Sequence, residues 1–233
     1  MYKKVREVSL AIMSKTKPTT YRVVEIFDSL EGEGMRQGQA ATFIRFAGCN
    51  LRCAYCDTKY AQDKNAGVEM TIDEILQKVN PNYELITLTG GEPLMQKNLS
   101  ALLKKLFEKK YWVNIETNGS IDISPLLTEF YDYGIGFTID YKLPSSGEED
   151  KMFLKNYEEC EPVKFVVGSD DDIPALLEIV KKHPSDCSRK HYLLSPSYKQ
   201  YDPKKLAELI LNEPLLAKKG ILQLQLHKTI GIQ

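Results

Sequence analysis

Apolar and polar positions along this chain switch repeatedly between two periods. Short runs rich in β-branched and aromatic residues predict strands at 23–27 (VVEIF), 42–48 (TFIRFAG), 85–91 (LITLTGG) and 112–119 (WVNIETNG). Four more follow at 136–142 (GFTIDYK), 163–168 (VKFVVG), 191–197 (HYLLSPS) and 221–226 (ILQLQL). Helical patterns lie between most of them. Leu99, Leu102, Leu103 and Leu106 recur at i, i+3, i+4, i+7, as do Ile173, Leu176, Leu177 and Val180. Thr71 and Glu74 have the spacing of a capping box opening 71–79. Asp202-Pro203 supplies a cap and a first-turn proline for a helix over 202–211.

Strands alternating with helices build βαβ units and a mostly parallel sheet. About six such units fall short of the eight of a closed barrel. The expected fold is therefore α/β, a partial and open parallel β/α barrel. Residues 1–20, with mixed charge and no periodicity, read as an extension that has room for one added strand, and 21–233 as a single domain. The predicted strands end in unusual clusters, AGCN, TGGEP, ETNGS, DYKLPSSG and LSPS. Parallel α/β folds gather their ligands at the carboxyl ends of strands. These ends are expected to form one shared site.

Composition narrows the class. The 233 residues carry 31 Lys+Arg against 32 Asp+Glu, a net charge of −1, and 42% are hydrophobic. A near-neutral chain lacks the basic surface that a nucleic-acid backbone demands. No apolar run approaches the roughly 20 residues of a membrane span. The start, MYKKVREVSLAIMSK, has too short an apolar patch for a signal peptide. A cytoplasmic protein without nucleic-acid or membrane partners is expected.

The chemistry begins with the cysteines. Cys49, Cys53 and Cys56 fall within eight residues, while Cys160 and Cys187 stand alone. That is no disulfide framework. A closed zinc site needs a fourth ligand. Cys160 or Cys187 could fold back to supply one, so zinc stays open on spacing alone. Three thiolates on one loop equally suit three irons of a 4Fe-4S cluster, with the fourth iron left for a ligand.

This spacing, with Tyr55 before the last cysteine, resembles the signature of the radical S-adenosylmethionine superfamily. Gly90-Gly91-Glu92-Pro93 matches its second motif, and Glu116-Thr117-Asn118-Gly119 follows on the next strand end, where the superfamily often places ribose contacts. The resemblance implies a 4Fe-4S cluster on Cys49, Cys53 and Cys56, and S-adenosylmethionine cleaved to a 5′-deoxyadenosyl radical. Glu25 to Gly34, Gly38, Phe43-Ile44-Arg45, Cys56-Asp57-Thr58, Thr89, Lys142 to Gly147 and Leu226-His227-Lys228 are similar to the motifs of the 7-carboxy-7-deazaguanine synthase family. That likeness spans about Tyr21 to Gln233. It implies a ring contraction of 6-carboxy-5,6,7,8-tetrahydropterin with loss of ammonia, a magnesium ion, regeneration of S-adenosylmethionine, an electron donor such as flavodoxin or ferredoxin, and a homodimer.

Under this resemblance the site residues divide into three groups. Tyr55, Cys56, Asp57, Gly91, Glu116, Asp140, Tyr141, Lys142, Ser195, Pro196 and Ser197 are the expected S-adenosylmethionine contacts. Thr58 is the expected magnesium ligand, with Asp57 acting through water. Leu30, Glu31, Gly32, Glu33, Arg45, Thr89, His227 and Gln233 are the expected substrate contacts. Glu31 and Glu33 would accept from the pterin's N–H edge, and Arg45 would hold its carboxylate. Arg45 lies inside an apolar run, where a charge needs a partner. Glu31 stands where the family usually has glutamine, and Asp140-Tyr141 where it often has Ser-Pro. The tail after 221 is expected to begin as a strand and to bring His227 and the carboxylate of Gln233 back over the site. Cysteine spacing by itself also suits an activase that makes a glycyl radical on a partner protein, or a non-enzymatic metal-binding or electron-transfer module.

Overall fold

The structure, a computed structural model, describes residues 18–159, 161–183 and 191–232. Its centre is one nine-stranded sheet: β1 (Thr20–Leu30), β2 (Ala40–Phe46), β3 (Val68–Thr71), β4 (Leu85–Gly90), β5 (Trp112–Thr117), β6 (Ile135–Tyr141), β7 (Val163–Val167), β8 (Tyr192–Pro196) and β9 (Gly220–Leu222). The order is β3-β1-β2-β4-β5-β6-β7-β8-β9. β2 and β4 to β9 run parallel, while β1 joins β2 and β3 antiparallel. β3 and β9 are the two edges, so the barrel is open, as the pattern predicts. Seven parallel strands stand where about six units are expected, and β3 is the strand the pattern does not show. Only four residues long and mostly exposed, β3 lacks an apolar run to announce it.

The helices α1 (Ile72–Lys78), α2 (Leu99–Glu108), α3 (Ser124–Phe130), α4 (Asp172–Lys182) and α5 (Pro203–Asn212) follow the strands, and α6 (Leu226–Ile230) ends the described chain. Their caps are those the sequence encodes. The Thr71 hydroxyl accepts from the Glu74 N–H while the Glu74 carboxylate accepts from the Thr71 N–H, and the Asp202 carboxylate accepts from Lys204 N–H at 2.9 Å. Leu99, Leu102, Leu103 and Leu106 bury one face of α2 against Ile86, Leu88, Val113 and Ile115 in the main core. Each such leucine contributes roughly 1.5–3 kcal/mol by leaving water.

Side chains of a strand alternate between faces, so the residues between the core-facing ones line the barrel lumen. Register then aligns them into rows. Arg45 pairs with Thr89 across β2 and β4, Glu116 with Thr138 across β5 and β6, and Asp140 with Lys164 across β6 and β7. A Thr89 hydroxyl bond to Glu116 at 2.8 Å closes the gap between β4 and β5. One polar row thus crosses the lumen.

Candidate active site

The carboxyl ends of the strands and the loops beyond them enclose a cavity of about 420 Å³. Cys49, Cys53 and Cys56 line its mouth, all three free and half-buried. Among the described residues no three His, Cys, Asp or Glu side chains converge as ligands of a single ion would. Cysteines that each reach a different iron of a cluster need not converge. Burial pushes the Cys53 thiol up to about 11, so metal binding there must displace a proton. The Cys49 sulfur already accepts from Leu51 N–H at 3.4 Å and faces the Asn118 amide at 3.8 Å. Such donors offset the negative charge of a thiolate-bound cluster. The donor set fits a 4Fe-4S group.

The loop carrying these cysteines is held from below by the glycine pair. Gly91 N–H donates to Phe46 O at 3.1 Å and Glu92 N–H to Gly48 O at 2.8 Å. A Cβ on Gly91 would stand 2.1 Å from Gly48 O and 2.9 Å from Ala61 O. Here the missing side chain lets the protein's own two backbones meet, in addition to opening the cavity. Glu92 is fully buried and ties strand ends together, accepting from Leu94 N–H, the Thr117 hydroxyl and Asn118 N–H. Burial outweighs those donors and pushes its carboxyl up to about 7.

Beside the cysteines, Lys142 is buried and bonds Asp140 at 2.9 Å. Burial opposes its charge, yet Asp140 and Tyr55 outweigh it and raise its affinity for a proton. Asp140 Oδ1 and the Tyr55 hydroxyl are buried with no protein partner. These orphaned atoms border the cysteines on the cavity wall, and a ligand with donors and acceptors would satisfy them. They fit the polar end of S-adenosylmethionine.

Deeper in the lumen, Arg45 Nε bonds Glu25 at 2.6 Å, and its guanidinium lies 5.5 Å from the Phe27 ring centre and 5.9 Å from that of Tyr60. Lys164 is half-buried between Glu33, to which it is ion-paired, and Asp140 at 3.6 Å. Burial works against the Glu33 charge, but Lys164 and the Gln225 amide, at 2.6 Å, hold its carboxyl below the ordinary value.

The tail seals this end. Leu226 N–H donates to Gly32 O at 3.0 Å, and Lys228 bonds Asp57 at 2.5 Å. His227 fits only because residue 32 lacks a side chain, since a Cβ there would stand 1.9 Å from its Nδ1. The tail differs in form from the expectation. β9 stops at Leu222, and 226–230 is a short helix. The Gln223 side chain, just past the end of β9, is buried with its Oε1 unpartnered.

Most expected site residues line the one cavity: Leu30, Gly32, Glu33, Arg45, Cys49, Cys53, Tyr55, Cys56, Asp57, Thr58, Thr89, Gly91, Glu116, Asp140, Lys142, Ser197 and His227. Four do not. Tyr141 alternates to the core face of β6, where its ring packs on Tyr157 and Phe165. Ser195 and Pro196 are buried within β8, behind the cavity-lining Ser197. The Glu31 side chain turns to the opposite mouth of the barrel and bonds Arg36 at 2.6 Å and the Thr87 hydroxyl. Gln233, Cys160 and Cys187 lie outside the described residues. Sequence reasoning missed Lys164 and Gln225. The first was findable, because Lys164 interrupts the apolar run VKFVV just as Arg45 interrupts TFIRFAG.

Comparison with known proteins agrees with this geometry. A model described as the radical SAM superfamily matches residues 43–146. The chain is 38% identical over 218 residues to a 7-carboxy-7-deazaguanine synthase of Methanospirillum hungatei, covering 91% of this chain and 86% of that protein. A protein of the same name from Clostridium acetobutylicum is 38% identical over 217 residues, covering 90% and 96%. The crystal structure of QueE from Escherichia coli shares the fold, with a TM-score of 0.69 at 24% identity, over 89% of this chain and 95% of that one.

Proposed function

The chain belongs to the 7-carboxy-7-deazaguanine synthase family, lyases of the radical S-adenosylmethionine superfamily with a 4Fe-4S cluster, and from that membership we propose that its substrate is 6-carboxy-5,6,7,8-tetrahydropterin. The product is 7-carboxy-7-deazaguanine and the leaving group ammonia. The observation that carries this reading is the polar row across the lumen floor, beneath the three cysteines in the same cavity.

When bound, the cluster supplies an electron and S-adenosylmethionine the radical that starts the reaction. The chain's own residues bind and orient. Cys49, Cys53 and Cys56 would hold the cluster. Tyr55, Asp57, Gly91, Asp140, Lys142 and Ser197 would hold the cofactor. Arg45, fixed by Glu25, would bind the pterin carboxylate, a charge-assisted contact on a planar donor. Glu33, kept ionised by Lys164, would accept from the pterin's N–H edge. Leu30 and Gly32 would contribute backbone beside it, Thr89 its hydroxyl, and His227 the roof. Thr58 would offer a hydroxyl oxygen to magnesium, with Asp57 behind it through water. Glu31 makes no such contact with its side chain, because Arg36 and Thr87 hold it on the far side.

A small flavodoxin- or ferredoxin-type reductant, a homodimer and a cytoplasmic setting belong to the same reading, as does a single catalytic unit over 21–233 with 1–20 outside it. Three unpaired cysteines serving as ligands require a reducing compartment. Among the described residues, no helix is long and apolar enough to cross a membrane. The test is anaerobic turnover after reconstitution with iron and sulfide, with S-adenosylmethionine, magnesium, a reductant and 6-carboxytetrahydropterin. Deazaguanine is expected, and Cys53→Ala is expected to abolish it. Formation of 5′-deoxyadenosine without deazaguanine would overturn the substrate.

A further inference from the structure

Counting charges in the lumen singles out one carboxyl. Glu31 is paired with Arg36, Glu33 with Lys164, Asp140 with Lys142, and Glu25 with Arg45. Asp57 has Lys228. Glu116 has no ion pair among the described residues. Its one hydrogen bond comes from the neutral Thr89 hydroxyl at 2.8 Å, and it opens on the cavity floor between Thr89 and its register partner Thr138. A carboxylate lining a cavity with one neutral donor and no cation paired to it is costly, and such a group takes up a proton instead. We infer that Glu116 enters the reaction protonated and is its acid–base catalyst, giving a proton to the departing nitrogen and afterwards recovering one from the ring.

This inference rests on the substrate proposed above. The substrate and product differ by one NH3, so the conversion has no net oxidant or reductant. In the elimination, the C–N bond to the departing amine breaks with its pair going to nitrogen. The Glu116 proton converts –NH2 to NH3. The carboxylate so formed takes the proton that a ring carbon sheds as the pyrrole becomes aromatic, the C–H pair becoming the ring double bond. Glu116 ends as it began, and no electrons pass through it.

The groups around Glu116 favour this state. Glu31 and Glu33 act on it from the loop after β1, Thr89 from β4 and Lys164 from β7. Lys164, the cation that acts on it, is shared between Glu33 and Asp140. Burial, then the charges of Glu31 and Glu33, push the Glu116 carboxyl up to about 7. General acids work best with a proton affinity near the working pH.

Two measurements test this. Infrared spectra of the metal-free protein should show protonated-carboxyl absorption at pH 6 that shifts in heavy water and fades by pH 9, and Glu116→Gln should remove one component of it and leave that of Glu92. In the reconstituted enzyme, Glu116→Gln should still move deuterium from ring-labelled substrate into S-adenosylmethionine. Its ammonia release should fall about 100-fold or more, while a ring-contracted amine accumulates. Glu116→Asp should restore part of the rate, with a shifted alkaline limb in kcat/KM. An ionised Glu116 at pH 6, unchanged ammonia release, or equal loss of deuterium transfer and ammonia with weakened substrate affinity would each overturn the role. A wild-type enzyme that makes no deazaguanine would instead overturn the substrate, and the infrared band would still decide the proton.

Discussion

A cation set inside an apolar strand is the most informative residue in this chain. Arg45 and Lys164 both interrupt hydrophobic runs, and both face the lumen, each bonded to a glutamate. Long charged side chains are kept at such places only when something anionic repays their desolvation. Arg45 has Nε committed to Glu25, which fixes the plane of the guanidinium toward the cavity. Arg45→Ala is expected to raise KM for the carboxylated pterin about 10- to 100-fold, the value of one charge-assisted bond, with little change in S-adenosylmethionine affinity. Steady-state kinetics with both ligands varied would check it, and an unchanged KM would remove Arg45 from the substrate site. At the same scale, the charge added at Glu31 has its own local partner. Its partner Arg36 lies five residues on, and the pair sits on the far side of the lumen from the cofactor wall.

Secondary elements decide which of two neighbours reaches the site. At the end of β6, Asp140 and the following Lys142 point into the cavity and Tyr141 points to the core. A motif taken as three consecutive contacts cannot supply three contacts from a strand, because its period is two. Ser197, just past the end of β8, reaches the cavity wall, while Ser195 stays buried within the strand. Loops are set by close approach. Gly91→Ala is expected to drive the cysteine loop off the end of β2, since the new Cβ would meet two backbone oxygens that cannot swing aside. The metal-free protein should lose roughly 1–3 kcal/mol, as overpacked sites do. Iron and sulfide retained after reconstitution should fall with it. Normal iron content in this variant would show that the loop docks by other contacts.

Over the whole molecule, buried carboxyls tie stability to pH. Glu92 holds its proton up to about 7 in the native state, against an ordinary 4.5. Between those values the native protein binds a proton that the unfolded chain has released, so stability falls as pH rises through the window. The slope is at most about 1.4 kcal/mol per pH unit, roughly 3 kcal/mol in all. Glu116 acts in the same sense. Glu33 and Asp57, held below their ordinary values, act oppositely and only at more acid pH. Urea midpoints of the metal-free protein should therefore drop between pH 5 and pH 8, and Glu92→Gln should flatten the change. A midpoint that rises with pH would mean Glu92 is ionised in the native state.

The sequence by itself determined the helix caps, the strand–helix alternation, the open parallel architecture and the cysteine loop, because each depends on neighbours within a few positions. It also carried the family, since the matched motifs run along nearly the whole chain. Cysteine spacing alone had left a glycyl-radical activase and a non-enzymatic module open, and similarity over nine-tenths of the chain to named synthases settles that choice. Tertiary structure decided what spacing cannot encode. It chose the face that each strand residue presents, paired Glu31 with Arg36 and Glu33 with Lys164, and brought Gln225 and Lys228 of the tail onto Glu33 and Asp57. Those contacts join positions up to 192 residues apart. They follow from sheet register and from the balance of buried charge, and both exist only once the open barrel has assembled around the lumen.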